Sequence, residues 1–333
     1  MAIPTNTRET YGAIGIREDL SNIIYNISPM DTPFVNGCGR GTADNTLFEW
    51  QTDELKQAAA NMQIEGNDYT STAATEPRRL SNYTQISATQ VQSSGTAEAV
   101  DFAGRKSTQA YQLAKRAKEM KRDMEFMLLE GTVKSAGSSG AARNTAAYST
   151  WIGTNDGDTS PIIAASTGAG LTNNGSSGYP DGTTEAGTGG ADTAISLAMI
   201  NSVVARIWDL GGSPDTILCK SDVKQTISGS SVGGSVVADL FKDVGSSDKP
   251  ATAVNAVDVL VTDFGTFKVV PDRHLPAGQA DIIDFDLWSI DYLRPFRTET
   301  LAKSGDSVKQ LLIAEYGLRA KNGHGSGQIK SAI

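Results

Sequence analysis

The stretch DFAGRKSTQAYQLAKRAKEMKRDMEFMLLEGTVKS, residues 101–135, carries the strongest periodic pattern of the chain. Its apolar side chains recur at spacings of three, four and seven residues, as they do along the buried face of an amphipathic helix. The members of this stripe are Leu113, Ala117, Met120, Met124, Met127 and Leu128. Asp101 or Ser107 can cap the start of the helix, and Gly131 or Gly137 can end it. The pattern predicts a single helix of roughly 45–50 Å, at a rise of 1.5 Å per residue.

The polar side of this predicted helix is basic. Lys115, Lys118 and Arg122 fall on one face at helical spacing. Such a face is either simply solvated or turned toward a polyanion or an acidic neighbour, and the sequence leaves both interpretations open.

The segments before the helix are poor in core-forming residues. Residues 1 to about 40 read as an extended arm with one short helical stretch that ends at Ser28–Pro29. The strings LFEWQTDEL (47–55) and RRLSNYTQI (78–86) alternate apolar and polar side chains, and a long polar loop joins them. This pattern predicts an extended hairpin. A hairpin without a sheet to pack on is marginal, so we expect its strands to find partners outside the subunit.

Residues 136–190 have a different composition, dominated by Gly, Ser, Thr, Ala and Asn. Such a segment does not carry enough apolar surface to form a core of its own. A loop of this length is usually functional, mobile or bound to a partner. Its candidate anchors are Trp151, Ile152, Ile162 and Ile163.

The second half of the chain mixes helices and strands without regular βαβ alternation. A helix is predicted at about 192–210, and a short strand with a short helix follows it. Two strands are predicted to turn at Asp263–Gly265, a strand pair is predicted within 280–294, and a long strand within 310–322. Segregated helices and strands of this kind indicate the α+β class.

The sequence contains no recognisable catalytic constellation. It lacks the P-loop, HExxH and CxxC patterns. His274 lies in a turn between two prolines, and His324 lies in the string GHGSGQ, which we interpret as the flexible exit of the last strand. Cys38 and Cys219 match no metal or redox spacing and are expected to be free thiols. We therefore expect no enzyme activity, no cofactor and no metal.

Charge and composition also indicate which kinds of partner the protein is expected to have. The net charge is −9, which argues against a domain that grips nucleic acid tightly but not against a shell that encloses it. The chain has no apolar run of the ~18 residues that a membrane span needs, so no membrane partner is expected. The N-terminus also lacks the pattern of a secretory signal.

The order of these parts resembles the plan of tailed-bacteriophage major capsid proteins of the Hong Kong 97 fold, and of their podovirus-type members in particular. Three strings carry the resemblance. They are MAIPTNTRETYGAIGIREDLSNIIYNISPMDTPFVN (1–36), RRLSNYTQISATQVQSSGTAEAVDFAG (78–104) and EYGLRAKNGHG (315–325).

The resemblance implies a division of the chain into the named parts of that fold. These parts are an N-terminal arm at 1–44, an extended β-hairpin loop at 45–90, a peripheral domain with the spine helix at 91–135, a surface-exposed insertion at 136–190, an axial domain at 191–270, and a return to the peripheral sheet at 271–333.

The resemblance also implies a function. The chain would be a major capsid protein that assembles as pentamers and hexamers into the icosahedral head around double-stranded DNA, which it would hold non-specifically. A separate scaffolding protein and a portal are the expected partners, and a decoration protein is a further candidate. The expected location is the virion capsid, assembled in the cytoplasm of the host bacterium.

The same resemblance suggests which residues contact other molecules. The expected inter-subunit contacts are Arg17, Phe34, Phe48, Trp50, Arg78, Arg79 and Tyr83. Lys115, Lys118 and Arg122 form the candidate lumen-facing basic face. Two alternatives stay open: an encapsulin-type compartment shell, which a copurifying cargo enzyme would favour, and another phage structural protein of a tail or adhesin, which fibrous trimers would favour.

Overall fold

The computed structural model describes most of the chain between residues 31 and 332. The described residues are 31–55, 58–66, 68, 76–102, 104, 106–173, 175, 179–187, 190–228, 258–303 and 305–332. Arg17 and the short helix predicted before Ser28 lie outside them.

Five α-helices and twelve strands occur in the described part of the chain. The helices are α1 Pro33–Gly37, α2 Gly95–Ala99, α3 Thr108–Leu129, α4 Leu197–Asp209 and α5 Ser221–Ser228. The strands are β1 Gly39–Thr42, β2 Leu47–Thr52, β3 Arg78–Tyr83, β4 Gln85–Ser94, β5 Ile162–Ala164, β6 Thr216–Cys219, β7 Val259–Thr262, β8 Gly265–Pro271, β9 Gln279–Ile283, β10 Trp288–Thr300, β11 Ser307–Ala320 and β12 Gly327–Lys330.

The predicted long helix is α3, which is shorter than expected. Its 22 residues span about 33 Å, because Ser107 caps it and the preceding chain forms the separate helix α2. The Ser107 hydroxyl accepts a hydrogen bond from the Ala110 N–H at 3.2 Å. Met120, Met124 and Leu128 are buried, as the apolar stripe predicts.

Helix α3 packs against a four-stranded sheet with the order β1-β10-β11-β4. Strands β10 and β11 form a long antiparallel hairpin, and β4 extends it on the other side of β11. The strand pair predicted within 280–294 is wrong, because β9 and β10 belong to different sheets. The short 3-10 helix Phe285–Leu287 redirects the chain between them.

A six-stranded sheet with the order β5-β12-β9-β6-β8-β7 forms the other half of the subunit. The predicted turn at Asp263–Gly265 is confirmed, since Thr262 pairs with Gly265 between β7 and β8. Strands β9 and β12 both lie in this sheet. Residues 271–333 therefore feed both sheets and do not simply return to the peripheral one.

Two apolar clusters hold these layers together. The first lies beneath α3 and contains Tyr148, Trp151 and Trp288. The second fills the space between α4 and the six-stranded sheet. A buried aromatic ring removes roughly 150–250 Å² from water, worth about 4–6 kcal/mol at ~25 cal/mol per Å². The three aromatic side chains thus contribute a large share of the burial energy near the centre of the subunit.

The Gly/Ser/Thr-rich segment lies partly inside the protein, so the expected surface-exposed insertion is wrong for residues 145–154 and 160–165. Residues 145–154 are buried without interruption, and β5 at 162–164 is an edge strand of the six-stranded sheet. Small side chains let this backbone pass through the core, provided that its polar groups find partners. Asn173 supplies one, because its Nδ2 donates to the carbonyl of Ile152 at 2.7 Å.

The string GHGSGQ is also not the flexible exit that its composition suggests. Gly323–Gly325 form a 3-10 helix, and β12 follows directly within the six-stranded sheet. The His324 side chain is 13% exposed. A Cβ added at Gly323 would stand 1.7 Å from the carbonyl oxygen of Trp151. Glycine is required there because two backbone segments cross at contact distance.

We predict that Gly323→Ala lowers the free energy of unfolding by roughly 2–4 kcal/mol, because the backbone at Trp151 has to move. Urea denaturation of the unassembled subunit measures this change. Gly140→Ala is the matched control, since an added Cβ there meets nothing within 4 Å. Equal stabilities of the two variants would contradict the close crossing.

Candidate functional site

The hairpin formed by β2 and β3 has a loop that stands away from the subunit. The strands pair from Leu47 with Tyr83 to Thr52 with Arg78, so residues 53–77 connect them. Three apolar side chains of this loop are almost fully exposed: Leu55 at 99%, Met62 at 88% and Ile64 at 79%. Three apolar side chains this exposed within one loop favour a contact surface.

The base of the hairpin packs on the subunit itself, which corrects the expectation that its strands need outside partners. Phe48 is 6% exposed, and the ring of Trp50 lies 5.2 Å from that of Trp151 between centroids. The Arg319 guanidinium lies over the rings of Phe48 and Trp50, at 5.7 and 5.9 Å from their centroids. Both aromatic side chains therefore serve this chain's own core.

Asn82 ties the hairpin base to two other segments. Its Nδ2 donates to the Thr145 Oγ1 at 2.9 Å and to the Leu318 carbonyl at 2.6 Å. Its Oδ1 accepts from the N–H groups of Ala146 and Tyr83, at 2.9 and 2.8 Å. All four bonding positions of a fully buried amide are used, so Asn82 fixes where β3 meets the core.

The remaining residues that were expected at subunit contacts differ in how far they are exposed. Phe34 is 0% exposed, so its side chain has no surface to offer another subunit. Arg78 and Arg79 are exposed, and Tyr83 is half-buried. Arg79 pairs with Glu49 across the hairpin, and Arg78 lies 5.0 Å from the centroid of the Tyr179 ring. For these last three residues, inter-subunit contact stays a prediction.

The root of the hairpin loop is held by a histidine. The Nδ1 of His324 lies 2.9 Å from the Oε1 of Glu54, and its ring lies 4.5 Å from that of Tyr179 between centroids. Burial lowers the pKa of His324, although the nearby Glu54 carboxylate opposes this effect. The imidazole is therefore neutral near pH 7 and acts as a positioning contact.

Buried ion pairs reinforce the four-stranded sheet, and the sequence analysis missed them. Glu315 is 3% exposed and lies 2.6 Å from the Arg143 Nη2 and 2.8 Å from the Arg294 Nε. Asp291 pairs with Arg319. The two residues of each pair are far apart in the sequence, so no local spacing predicts these pairs.

The basic face of α3 is partly neutralised within the helix. Lys115 and Lys118 are exposed, and Arg122 is half-buried. Glu119 lies between them, 3.9 Å from the Lys115 Nζ and 2.7 Å from the Arg116 Nη1. The lumen-facing role of the three cations stays a prediction.

Metal-ligand clusters and membrane-spanning helices are both absent from the described ranges of the chain. In those ranges no group of three or more His, Cys, Asp or Glu side chains is arranged to hold a metal ion. No helix there is both long and apolar enough to cross a bilayer.

Comparison with known proteins identifies the family. The family model described as SU10 major capsid protein matches residues 3–332. The chain belongs to this family. It is a tailed-phage major capsid protein, and the family match decides against the compartment-shell and tail alternatives. The major capsid protein of Escherichia phage Phieco32 is 28% identical over 346 residues, covering 97% of this chain and 96% of that protein.

Solved capsid structures share the fold. The cyanophage A-1(L) capsid matches with a TM-score of 0.69 at 10% identity, covering 95% of this chain and 97% of that one. The capsid of a native GTA particle matches with a TM-score of 0.61 at 11% identity, covering 96% of both. A phage G structure with major capsid and decoration proteins matches with a TM-score of 0.52 at 10% identity, covering 99% of both. The predicted α+β fold of the Hong Kong 97 type is confirmed.

We predict that Asn82→Ala lowers the free energy of unfolding by roughly 2–4 kcal/mol, because it leaves the Ala146 N–H and the Leu318 carbonyl without this partner inside the core. Chemical denaturation of the unassembled subunit measures the loss. Asn61→Ala, in the exposed hairpin loop, is the control and should change stability by less than ~0.5 kcal/mol. Similar values for the two variants would refute the anchoring role.

Proposed function

We propose that the protein assembles as pentamers and hexamers into the icosahedral head that encloses the double-stranded DNA of a tailed phage. The observation that carries this proposal is the exposed apolar group Leu55, Met62 and Ile64 on a loop whose base is fixed to the core. A subunit with such a loop offers its neighbours a preformed contact. The role is structural and non-enzymatic, which the family match supports.

The net negative charge of the chain is compatible with a shell that encloses DNA without binding it tightly. A net charge of −9 repels packaged DNA over most of the surface, so the shell holds the genome by enclosure and non-specifically. The partly neutralised face of α3 is the proposed exception, and it turns toward the lumen.

Other proteins complete the proposed assembly. A separate scaffolding protein and a portal are the proposed partners, and a decoration protein is a further candidate. The phage G structure, which includes decoration proteins, supports that candidate only through a shared fold. The proposed location is the virion capsid, after assembly in the cytoplasm of the host bacterium.

We predict that Ile64→Asp blocks assembly while leaving the folded subunit intact, because it places a charge in an apolar contact between copies. Electron microscopy and light scattering of the variant coexpressed with the phage head proteins check this outcome. Asn61→Asp adds the same charge in the same loop without removing an apolar side chain. Normal shells from Ile64→Asp, or equal failure of both variants, would count against the loop contact.

A second test addresses the basic face. We predict that replacing Lys115, Lys118 and Arg122 together by Gln leaves empty shells normal but lets filled heads release DNA at a lower temperature, because fewer cations offset phosphate repulsion. A fluorescent DNA-binding dye measures the release temperature. The control is Lys309→Gln, which removes a cation from strand β11 instead of from α3. An unchanged release temperature in the triple variant would exclude the lumen-facing role.

A further inference from the structure

Three separate segments of the chain meet at a buried pair of carboxyl groups. Glu125 lies on α3 and is 0% exposed, and Asp272 directly follows β8 and is 1% exposed. The Oε1 of Glu125 accepts from the Phe34 N–H at 2.7 Å, and its Oε2 accepts from the Val35 N–H at 2.7 Å. Glu125 therefore holds the start of α1, the first helix that the structure describes.

Asp272 completes the cluster but lacks one donor. One of its oxygens, Oδ1, accepts from the His274 N–H at 2.8 Å. The other, Oδ2, is buried and has no donor among the described residues. Glu125 and Asp272 each contribute to the shift in the other's pKa, so the two buried carboxyl groups are neighbours in the core. Two ionised carboxylates are acceptors only, so a bond between them requires one proton.

The surroundings of the two carboxyl groups favour their protonated form. Burial raises the pKa of Glu125 to about 8, and the neighbouring Asp272 adds to the rise. Burial also raises the pKa of Asp272, against the opposing effects of the His274 backbone bond, Glu125 and the His274 charge. Burial likewise raises the pKa of the Cys38 thiol, which lies near Glu125.

The other titratable groups around the cluster are acidic or weakly basic. Asp272 also influences Cys219 and Asp281, which lie on the neighbouring strands β6 and β9. Burial raises the pKa of Asp281 to about 7, although Gln279 and Gln328 donate to its carboxyl group. Within the described ranges no Lys or Arg forms an ion pair with Glu125 or Asp272, so a proton is what offsets their charge.

We propose that Glu125 and Asp272 share one proton, and that this proton fastens α1 to α3 and to the end of β8. The pair links α1 with both halves of the subunit. Loss of the proton leaves two negative charges side by side in the core, which favours opening of this junction. The inference concerns the subunit itself and does not depend on the proposed assembly.

The direction of the pH effect follows from the shared proton. The closed junction keeps the proton up to about pH 8, whereas the opened Glu125 loses it near its ordinary value of 4.5. The stabilisation is therefore complete below about pH 4.5 and is lost as the pH rises toward 8. A one-proton linkage changes the opening equilibrium by at most about tenfold per pH unit, and the change stops above the closed-state pKa.

Hydrogen–deuterium exchange of the intact, unassembled protein tests the proposal. In the wild type, protection of the peptide covering residues 32–38, corrected for intrinsic exchange, should fall up to about tenfold per pH unit between pH 5 and 8. It should level off above pH 8. Peptides from α4 should show no such slope, because their contacts do not involve the pair.

Asp272→Asn separates the shared proton from other causes. An asparagine Nδ2 donates to Glu125 at every pH, and its Oδ1 can still accept from His274, so the slope of protection at 32–38 with pH should become clearly shallower, and only the part caused by burial of Glu125 should remain. Glu125→Gln should remove the pH dependence of protection at 32–38. It provides a second test if Asp272→Asn folds poorly. Glu119→Gln, which alters a half-buried carboxylate on the same helix that is paired with Lys115 and Arg116, should keep the wild-type profile. A flat profile in the wild type, or the wild-type slope in Asp272→Asn, would overturn the proposal.

Discussion

The backbone of residues 145–154 runs buried through the middle of the subunit, and its polar groups have to be satisfied there. Asn82 bonds to Ala146, and Asn173 donates to the carbonyl of Ile152. The hydroxyl of Tyr148 donates toward the carbonyls of Ile282 and Gly327, which lie in the six-stranded sheet. One buried segment thus connects the hairpin base with the strands of the second half. Any change that exposes or distorts this segment affects the hairpin and the six-stranded sheet, because each of them supplies part of its hydrogen bonds.

Charge in the interior is balanced in two different ways. Glu315 meets two arginines at the sheet, so its carboxylate is offset by cations across strands. Glu125 and Asp272 have no such cation among the described residues, and burial raises the pKa of both. The first arrangement pairs each buried oxygen of Glu315 with a guanidinium group. The second depends on a proton, which makes the junction beside α1 the pH-sensitive part of the fold.

The hairpin combines a fixed base with an exposed loop. Phe48 and Trp50 are held between Arg319 and Trp151, so the direction in which β2 and β3 leave the core is determined by packing. Leu55, Met62 and Ile64 then extend beyond that base into solvent. For a shell protein this arrangement limits the conformational entropy lost on assembly, because the strands that carry the loop are already ordered.

By itself the sequence determined the features that depend on neighbouring residues. The apolar stripe of α3, the alternation in β2 and β3, and the turn between β7 and β8 could all be predicted, because periodicity reports which face of an element is apolar. The family resemblance rested on the order of these parts. Only the tertiary structure decided which elements meet. It separated β9 from β10, buried residues 145–154, and brought Glu125 to Asp272. Such outcomes depend on partners far along the chain, and local composition does not encode the partner of a buried polar group.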